Sequence, residues 1–242
     1  MSVAHKPKPR REIRPRKRAG SGDVTVADLL RSLGGVPADR VRLRPAPGTA
    51  TERDLIGVRD HEGRICELIE GTLVEKTMGA LESAIAAEII LAIGTFLKHR
   101  RLGVVLGADG ALRLFPSLVR VPDVSFISWG RLPGGKLPSE PIPSLVPDLV
   151  VEVLSKGNTK TELKRKLGEY FAAGLTVVWL VDPRTKTVRV HESAKDSTLL
   201  AEDQVIEGGS GPAWIQGAGE RAIQPFRADL SLNLGIVVVR GR

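Results

Sequence analysis

The chain has little sulfur chemistry: one cysteine, Cys66, among 242 residues. A single thiol rules out an internal disulfide framework and fits a reducing compartment, so a cytoplasmic protein is expected. The four histidines, His5, His61, His99 and His191, are scattered, with no spacing that would hold zinc. There is no Gly-x-Ser-x-Gly elbow for a serine nucleophile. A glycine loop ending in Lys-Ser or Lys-Thr, which would cradle a nucleotide phosphate, is also missing. No internal repeat is visible. The most apolar helical stretch, residues 83–97, is about 15 residues long and carries Glu88, short of the ~20 that a membrane span needs. It reads as a core helix, and no membrane partner is expected.

What is present suits one large domain, or one domain with appendages. The chain is 42% hydrophobic, enough for a sizeable core, and 26% charged, which is ordinary for a soluble protein. The formal charge is +8, and it is unevenly placed. Residues 1–20 hold eight lysines and arginines against one acid, Glu12, so +7 lies there and the rest is nearly neutral. This Pro-rich tail cannot form a core. It reads first as a solvated, disordered extension and second as a nucleic-acid-binding arm. No apolar run follows its charges, so a secretion signal is not expected.

The hydrophobic pattern predicts a short helix over residues 23–33, ended by Gly34-Gly35, then an irregular stretch over 37–51 and a short helix or loop over 54–58. Residues 65–75 alternate around Glu70-Gly71 as a hairpin. Helical spacing covers 81–99, and strands follow at 103–106 and 111–115. Residues 118–127 read as one further strand. A Pro- and Gly-rich loop over 128–147 is either functional or a plain surface excursion. A strand over 148–154 leads to a helix over 159–173, with Asn158 as the expected cap and Gly174 as the stop. Strands at 176–181 and 187–191 come next, and residues 226–239 suggest a last helix or strand. The expected organisation is a disordered basic tail (1–22), a helix with an irregular extension (23–60) and an α/β domain (61–242). That domain should hold a mixed sheet flanked by helices, because the runs at 149–154 and 176–181 do not alternate and need cover on both faces.

Two acids are out of place in this pattern. Glu152 stands inside Leu149-Val150-Val151-Glu152-Val153-Leu154, and Asp123 inside Val119-Arg120-Val121-Pro122-Asp123-Val124. A buried carboxylate is costly unless a partner or a metal compensates it. Strand alternation puts Val121, Asp123 and Ser125 on one face, and Val150, Glu152 and Leu154 on one face. If the strands are neighbours in register, the two carboxylates lie side by side, and a hard divalent ion such as magnesium would relieve their repulsion. The following helix has an apolar stripe of Leu163, Leu167, Tyr170 and Phe171, flanked on opposite sides by Lys164 and Lys166. Helical geometry does not choose between these lysines, and a Glu162–Lys166 surface pair is a further alternative. Glu67 and Glu70 read as surface acids of the hairpin.

The segments Cys66-Glu67-Leu68-Ile69-Glu70-Gly71, Val121-Pro122-Asp123-Val124 and Pro147-Asp148-Leu149-Val150-Val151-Glu152-Val153-Leu154-Ser155 form a pattern with Lys166, Tyr170 and Ala173-Gly174. It ends in Val178-Trp179-Leu180-Val181-Asp182-Pro183. Over about residues 65–192 the chain resembles the Uma-type restriction endonuclease family of the PD-(D/E)XK nuclease superfamily. The resemblance implies a restriction-endonuclease-like α/β fold and a Mg2+- or Mn2+-dependent endonuclease acting on DNA. It implies Asp123 and Glu152 as metal ligands, with the main-chain carbonyl of Val153 beside them. Where the superfamily has a lysine two residues after the glutamate, this chain has Leu154, and Lys166 is the implied substitute. Glu82 is the implied additional acid, for a second ion or a water. The loop over 128–147 and the tail residues Arg10, Arg11, Arg14, Arg16, Lys17 and Arg18 would contact the duplex. A homodimer is implied by resemblance alone. The competing reading is a nuclease scaffold without cleavage, serving as a DNA- or protein-binding module.

Overall fold

The computed structural model describes residues 25–98 and 102–201, and two short strands at 227–229 and 238–240. The basic tail lies outside the described residues. Helices α1 (Val26–Ser32) and α2 (Glu52–Glu62) precede a hairpin of β1 (Cys66–Ile69) and β2 (Thr72–Glu75). Helix α3 (Ala80–Leu97) follows, then β3 (Gly103–Leu106), β4 (Leu112–Phe115), β5 (Leu118–Arg120) and β6 (Val124–Ser128). After a long loop come β7 (Leu149–Val153), α4 (Lys160–Ala173), β8 (Val177–Asp182), β9 (Thr187–His191) and β10 (Ser197–Leu200). A separate antiparallel pair, β11 (Arg227–Asp229) and β12 (Val238–Arg240), covers the stretch expected to hold one last element.

The strands form two main sheets. The large one has six strands in the order β10-β9-β8-β7-β6-β3, and the small one four in the order β2-β1-β5-β4. Among the described strands only β7 and β8 are parallel neighbours, joined by the α4 crossover. Side-chain alternation divides the large sheet's faces. Leu149, Val151 and Val153 pack with Ile85, Ile89, Ile93 and Phe96 of α3 on one side. Val150, Val178 and Leu180 pack with Leu167, Tyr170 and Ala173 of α4 on the other. Ile69 of the small sheet joins that second cluster, whereas Leu68 and Leu73 face Leu55 and Val58 of α2. Helix α4 therefore lies between the two sheets.

The hairpin turn is held by two left-handed residues, Glu70 (φ 50°) and Gly71 (φ 75°). A Cβ on Gly71 would stand 2.6 Å from the carbonyl carbon of Gly48, so both the turn and the close approach require glycine there. Leu33 and Val36 join the α4 cluster, and Arg40 reaches Glu162 at 3.0 Å, so residues 25–60 pack into the body of the fold.

Four details differ from the sequence reading. Residues 118–127 are two strands in two sheets, because Val121-Pro122-Asp123 crosses between them and proline cannot donate to a ladder. Residues 52–62 form a full helix. Thr159, not Asn158, caps α4: its hydroxyl accepts from the Glu162 N–H at 3.1 Å, while Asn158 accepts from the Ser155 N–H. Helix α3 is 18 residues long, which by length and composition alone could cross a membrane. Its stripe of Ile85, Ile89, Ile93 and Phe96 is packed on the large sheet.

Candidate active site

The two misplaced acids meet. The antiparallel register pairs Val124 with Val151, and one further step sets Asp123 opposite Glu152. Directly opposed residues point to the same face, here the face covered by α4. Asp123 Oδ2 accepts the Val153 N–H at 2.6 Å, which ties its carboxylate to the strand carrying Glu152. Its Oδ1 lies 2.7 Å from the Lys76 ammonium, which also donates to the Val121 carbonyl. Asp123 and Glu152 are 2% and 5% exposed, so neither charge can rely on water alone.

Glu152 is met from α4. The Lys166 ammonium lies 3.1 and 3.2 Å from its two oxygens, and the Tyr170 hydroxyl donates to Oε1 at 2.6 Å. Lys166 and Tyr170 are four apart on one helix face, so a single helix supplies both donors. Lys166 also lies 3.2 Å from Glu67 Oε1, on β1 of the small sheet. Glu67 in turn accepts from Arg120 at 2.6 Å, and Arg120 donates to Glu169. Lys166 and Arg120 thus alternate with Glu152, Glu67 and Glu169 in one buried chain, and the Asp123–Lys76 pair stands beside it.

The titration behaviour follows from this alternation. Burial would raise the carboxyl of Glu67, but Lys166, Arg120 and Lys76 outweigh it and hold the group well below the usual carboxylate range. Burial would lower the Lys166 ammonium, but Glu152 and Glu67 outweigh it and raise its pKa, so it stays protonated at neutral pH. Burial and Glu152 together push the Tyr170 phenol up, which keeps it a donor. Burial pushes the Cys66 thiol up to about 11, leaving it no role as a thiolate at neutral pH.

A family model described as "Putative restriction endonuclease", Uma2, matches residues 52–214. The chain belongs to the Uma2 family. A solved structure similar to it is a putative nuclease of the DUF820 group from Anabaena variabilis. The two are 25% identical with a TM-score of 0.55, over 63% of this chain and 84% of that one. No curated protein gives a significant match. The fold is thus that of a nuclease family, with two sheets flanked by helices.

Of the residues singled out in the sequence, Asp123, Glu152 and Lys166 come together. Lys164 is exposed, and Glu162 pairs with Arg40 instead of Lys166, which settles the choice that helical geometry left open. Glu82 stands in the first turn of α3 with its carboxylate turned back on Gly79. Among the described residues, no group of three or more His, Cys, Asp or Glu is placed to hold a metal, so Glu82 does not complete a triad with the other two acids. The tail residues Arg10, Arg11, Arg14, Arg16, Lys17 and Arg18 lie outside the described residues. Asp148 closes the base of the loop over 128–147, accepting the Ser128 N–H at 2.7 Å and pairing with Arg131 at 2.8 Å.

Glu67 corrects the sequence reading most plainly: it is 1% exposed and central to the network, not a surface acid. Its signal resembled that of Glu152, an acid inside an apolar strand. Arg120, Lys76 and the Tyr170 hydroxyl were missed as well.

Restriction-endonuclease-like proteins generally use divalent metal ions. The donor chemistry here fits such an ion: two carboxylates on one face suit magnesium, which takes one or two carboxylate ligands and retains water. Each carboxylate oxygen can accept in two directions. All four already meet an N–H or O–H donor, so an ion would have to share them with Lys76 and Lys166.

Proposed function

We propose that this Uma2 protein is a Mg2+- or Mn2+-dependent endonuclease that hydrolyses phosphodiester bonds of DNA. The observation that carries the reading is the meeting of Asp123 and Glu152 on one sheet face, with Lys166 against Glu152. Family membership and the putative nuclease from Anabaena variabilis support it. Asp123 and Glu152 would hold the ion, with the Val153 carbonyl as a further ligand. When bound, such an ion polarises a phosphoryl oxygen and makes hydroxide available near neutral pH.

The protein's own groups do the rest. Lys166 stays protonated, so it donates hydrogen bonds and positive charge, orienting a water or the scissile phosphate, and does not act as a general base. Tyr170 and Lys166 together fix the rotamer of Glu152. Asp123 braces the end of β7 through Val153. The basic tail and the loop over 128–147 would contact the phosphate backbone, a salt-dependent attraction without sequence information. A cytoplasmic homodimer acting on DNA, with no membrane partner, completes the proposal.

One observation favours a second reading. Lys76, Lys166 and Arg120 already compensate the acids, so the site is balanced without a metal. That suits a scaffold kept for DNA or protein binding after cleavage was lost. Supercoiled plasmid incubated with Mg2+ or Mn2+ separates the two. Nicking by the wild type that disappears in Glu152→Gln supports the nuclease. Salt-sensitive DNA binding with no cleavage by either protein supports the binding module.

A further inference from the structure

We propose that Lys76 is the resident counter-ion of Asp123 and competes directly with a divalent cation for it, setting the metal affinity of the site. The inference rests on the metal reading above and concerns one residue that neither the sequence pattern nor the family assigns. Lys76 follows β2, and its main-chain N–H donates to Ile65 at 2.9 Å, which anchors the base of the side chain. Its ammonium reaches across to Asp123 Oδ1 at 2.7 Å, with the Val121 carbonyl as its other partner. The lysine side chain is 8% exposed and that of Asp123 4%, so the pair is poorly screened by water.

The two lysines of the site are not equivalent. Lys166 lies between two acids, and if a cation came to Glu152 it would keep Glu67 at 3.2 Å. Lys76 has one carboxylate in direct contact among the described residues, Asp123, and feels Glu67 only at longer range; a cation on Asp123 would leave the ammonium facing that ion with the neutral Val121 carbonyl as its other contact. Like charges a few ångströms apart repel, and the more so where water screens them poorly, so an ion on Asp123 and an ammonium on its Oδ1 are mutually unfavourable. Metal binding then requires Lys76 to give up Asp123. The metal-free site stays balanced and folded, at the expense of weak metal affinity.

Calorimetric titration of Mn2+ into the full chain tests this, using wild type, Lys76→Gln, Lys76→Arg and Asp123→Asn, each checked for folding by circular dichroism. Glutamine keeps a neutral N–H donor toward Asp123, and arginine keeps the charge. Lys76→Gln should bind Mn2+ about tenfold or more tightly than wild type. Lys76→Arg should bind like wild type, and Asp123→Asn should lose the site. Should Lys76→Gln bind no tighter while Asp123→Asn still abolishes binding, the metal reading stands and the competition is wrong. If folded wild type and Lys76→Gln both fail to bind, the metal reading falls and takes the competition with it. Should Lys76→Gln not fold, the wild type decides alone. The Lys76 side-chain carbon resonances, assigned by their loss in Lys76→Arg, must shift with Mg2+ at the midpoint of binding, and unmoved resonances overturn the proposal.

Discussion

Asp123 grips the strand that carries Glu152: its Oδ2 accepts the Val153 N–H at 2.6 Å, while its Oδ1 holds Lys76. The same carboxylate thus braces β7 and balances a buried ammonium. Taken from the sequence alone, removal of one acid of the pair would relieve repulsion and stabilise the metal-free protein. The structure reverses that expectation, since each acid has its own cation. Asp123→Ala should cost about 3–5 kcal/mol, the usual loss when one partner of a buried ion pair is removed. Asp123→Asn keeps an acceptor for Val153 and should cost less. Urea unfolding at neutral pH measures both, and a neutral or stabilised Asp123→Ala would contradict the assignment.

The pH dependence of stability should trace Glu67. Its folded pKa is depressed from the ordinary 4.5, so the unfolded chain takes up its proton first as pH falls. The contribution is therefore present above about pH 4.5 and is lost as pH drops from there toward the folded value. Glu67→Gln should be less stable than wild type at pH 7 and lose less stability between about pH 5 and 3. Thermal melts across that range check it. Parallel curves for the two proteins would mean that Glu67 does not carry the acid sensitivity.

How much of this was legible in the chain depends on whether neighbours in sequence sufficed. The hairpin, α3, α4 and β7 follow from apolar period and turn residues. Asp123 and Glu152 could be paired because alternation put each on a defined face, and an antiparallel register did the rest. Residues 118–127 could not be divided, since an apolar stretch that changes sheet at Pro122 looks continuous. Glu67 shares a face with Ile69, but no local signal says that α4 covers that face. The choice of Lys166 over Lys164 has a related origin: Lys166 is enclosed between Glu152 of the large sheet and Glu67 of the small one, the latter nearly 100 residues away in the chain, while Lys164 stays exposed. Lys76 sits just past a strand end, where a lysine ordinarily points to solvent.

Tyr170→Phe isolates one hydrogen bond. The ring belongs to the cluster between α4 and the large sheet and keeps its packing, while the hydroxyl 2.6 Å from Glu152 Oε1 is lost. Hydrogen bonds to charged groups are worth about 1.5–3 kcal/mol, so a loss of that order is expected in urea unfolding. Under the nuclease reading cleavage should fall while plasmid affinity is unchanged, because Tyr170 positions Glu152 and does not touch DNA. Wild-type cleavage in Tyr170→Phe would show that Lys166 alone suffices to orient the glutamate.

Lys166 stands between two acids from two sheets, 3.1 Å from Glu152 and 3.2 Å from Glu67, so its removal should damage both contacts together. Lys166→Met leaves two buried carboxylates short of a cation and should cost about 3–5 kcal/mol. Neutralising one of those carboxylates in the same protein removes part of the reason for the loss. The double variant Glu67→Gln, Lys166→Met should therefore be more stable than the sum of the single effects predicts, by about 1 kcal/mol or more. Urea unfolding of wild type, both single variants and the double variant closes the cycle. Additivity within about 0.5 kcal/mol would mean that the ammonium and Glu67 are neighbours without being partners. The small sheet would then contribute packing to the site and no charge.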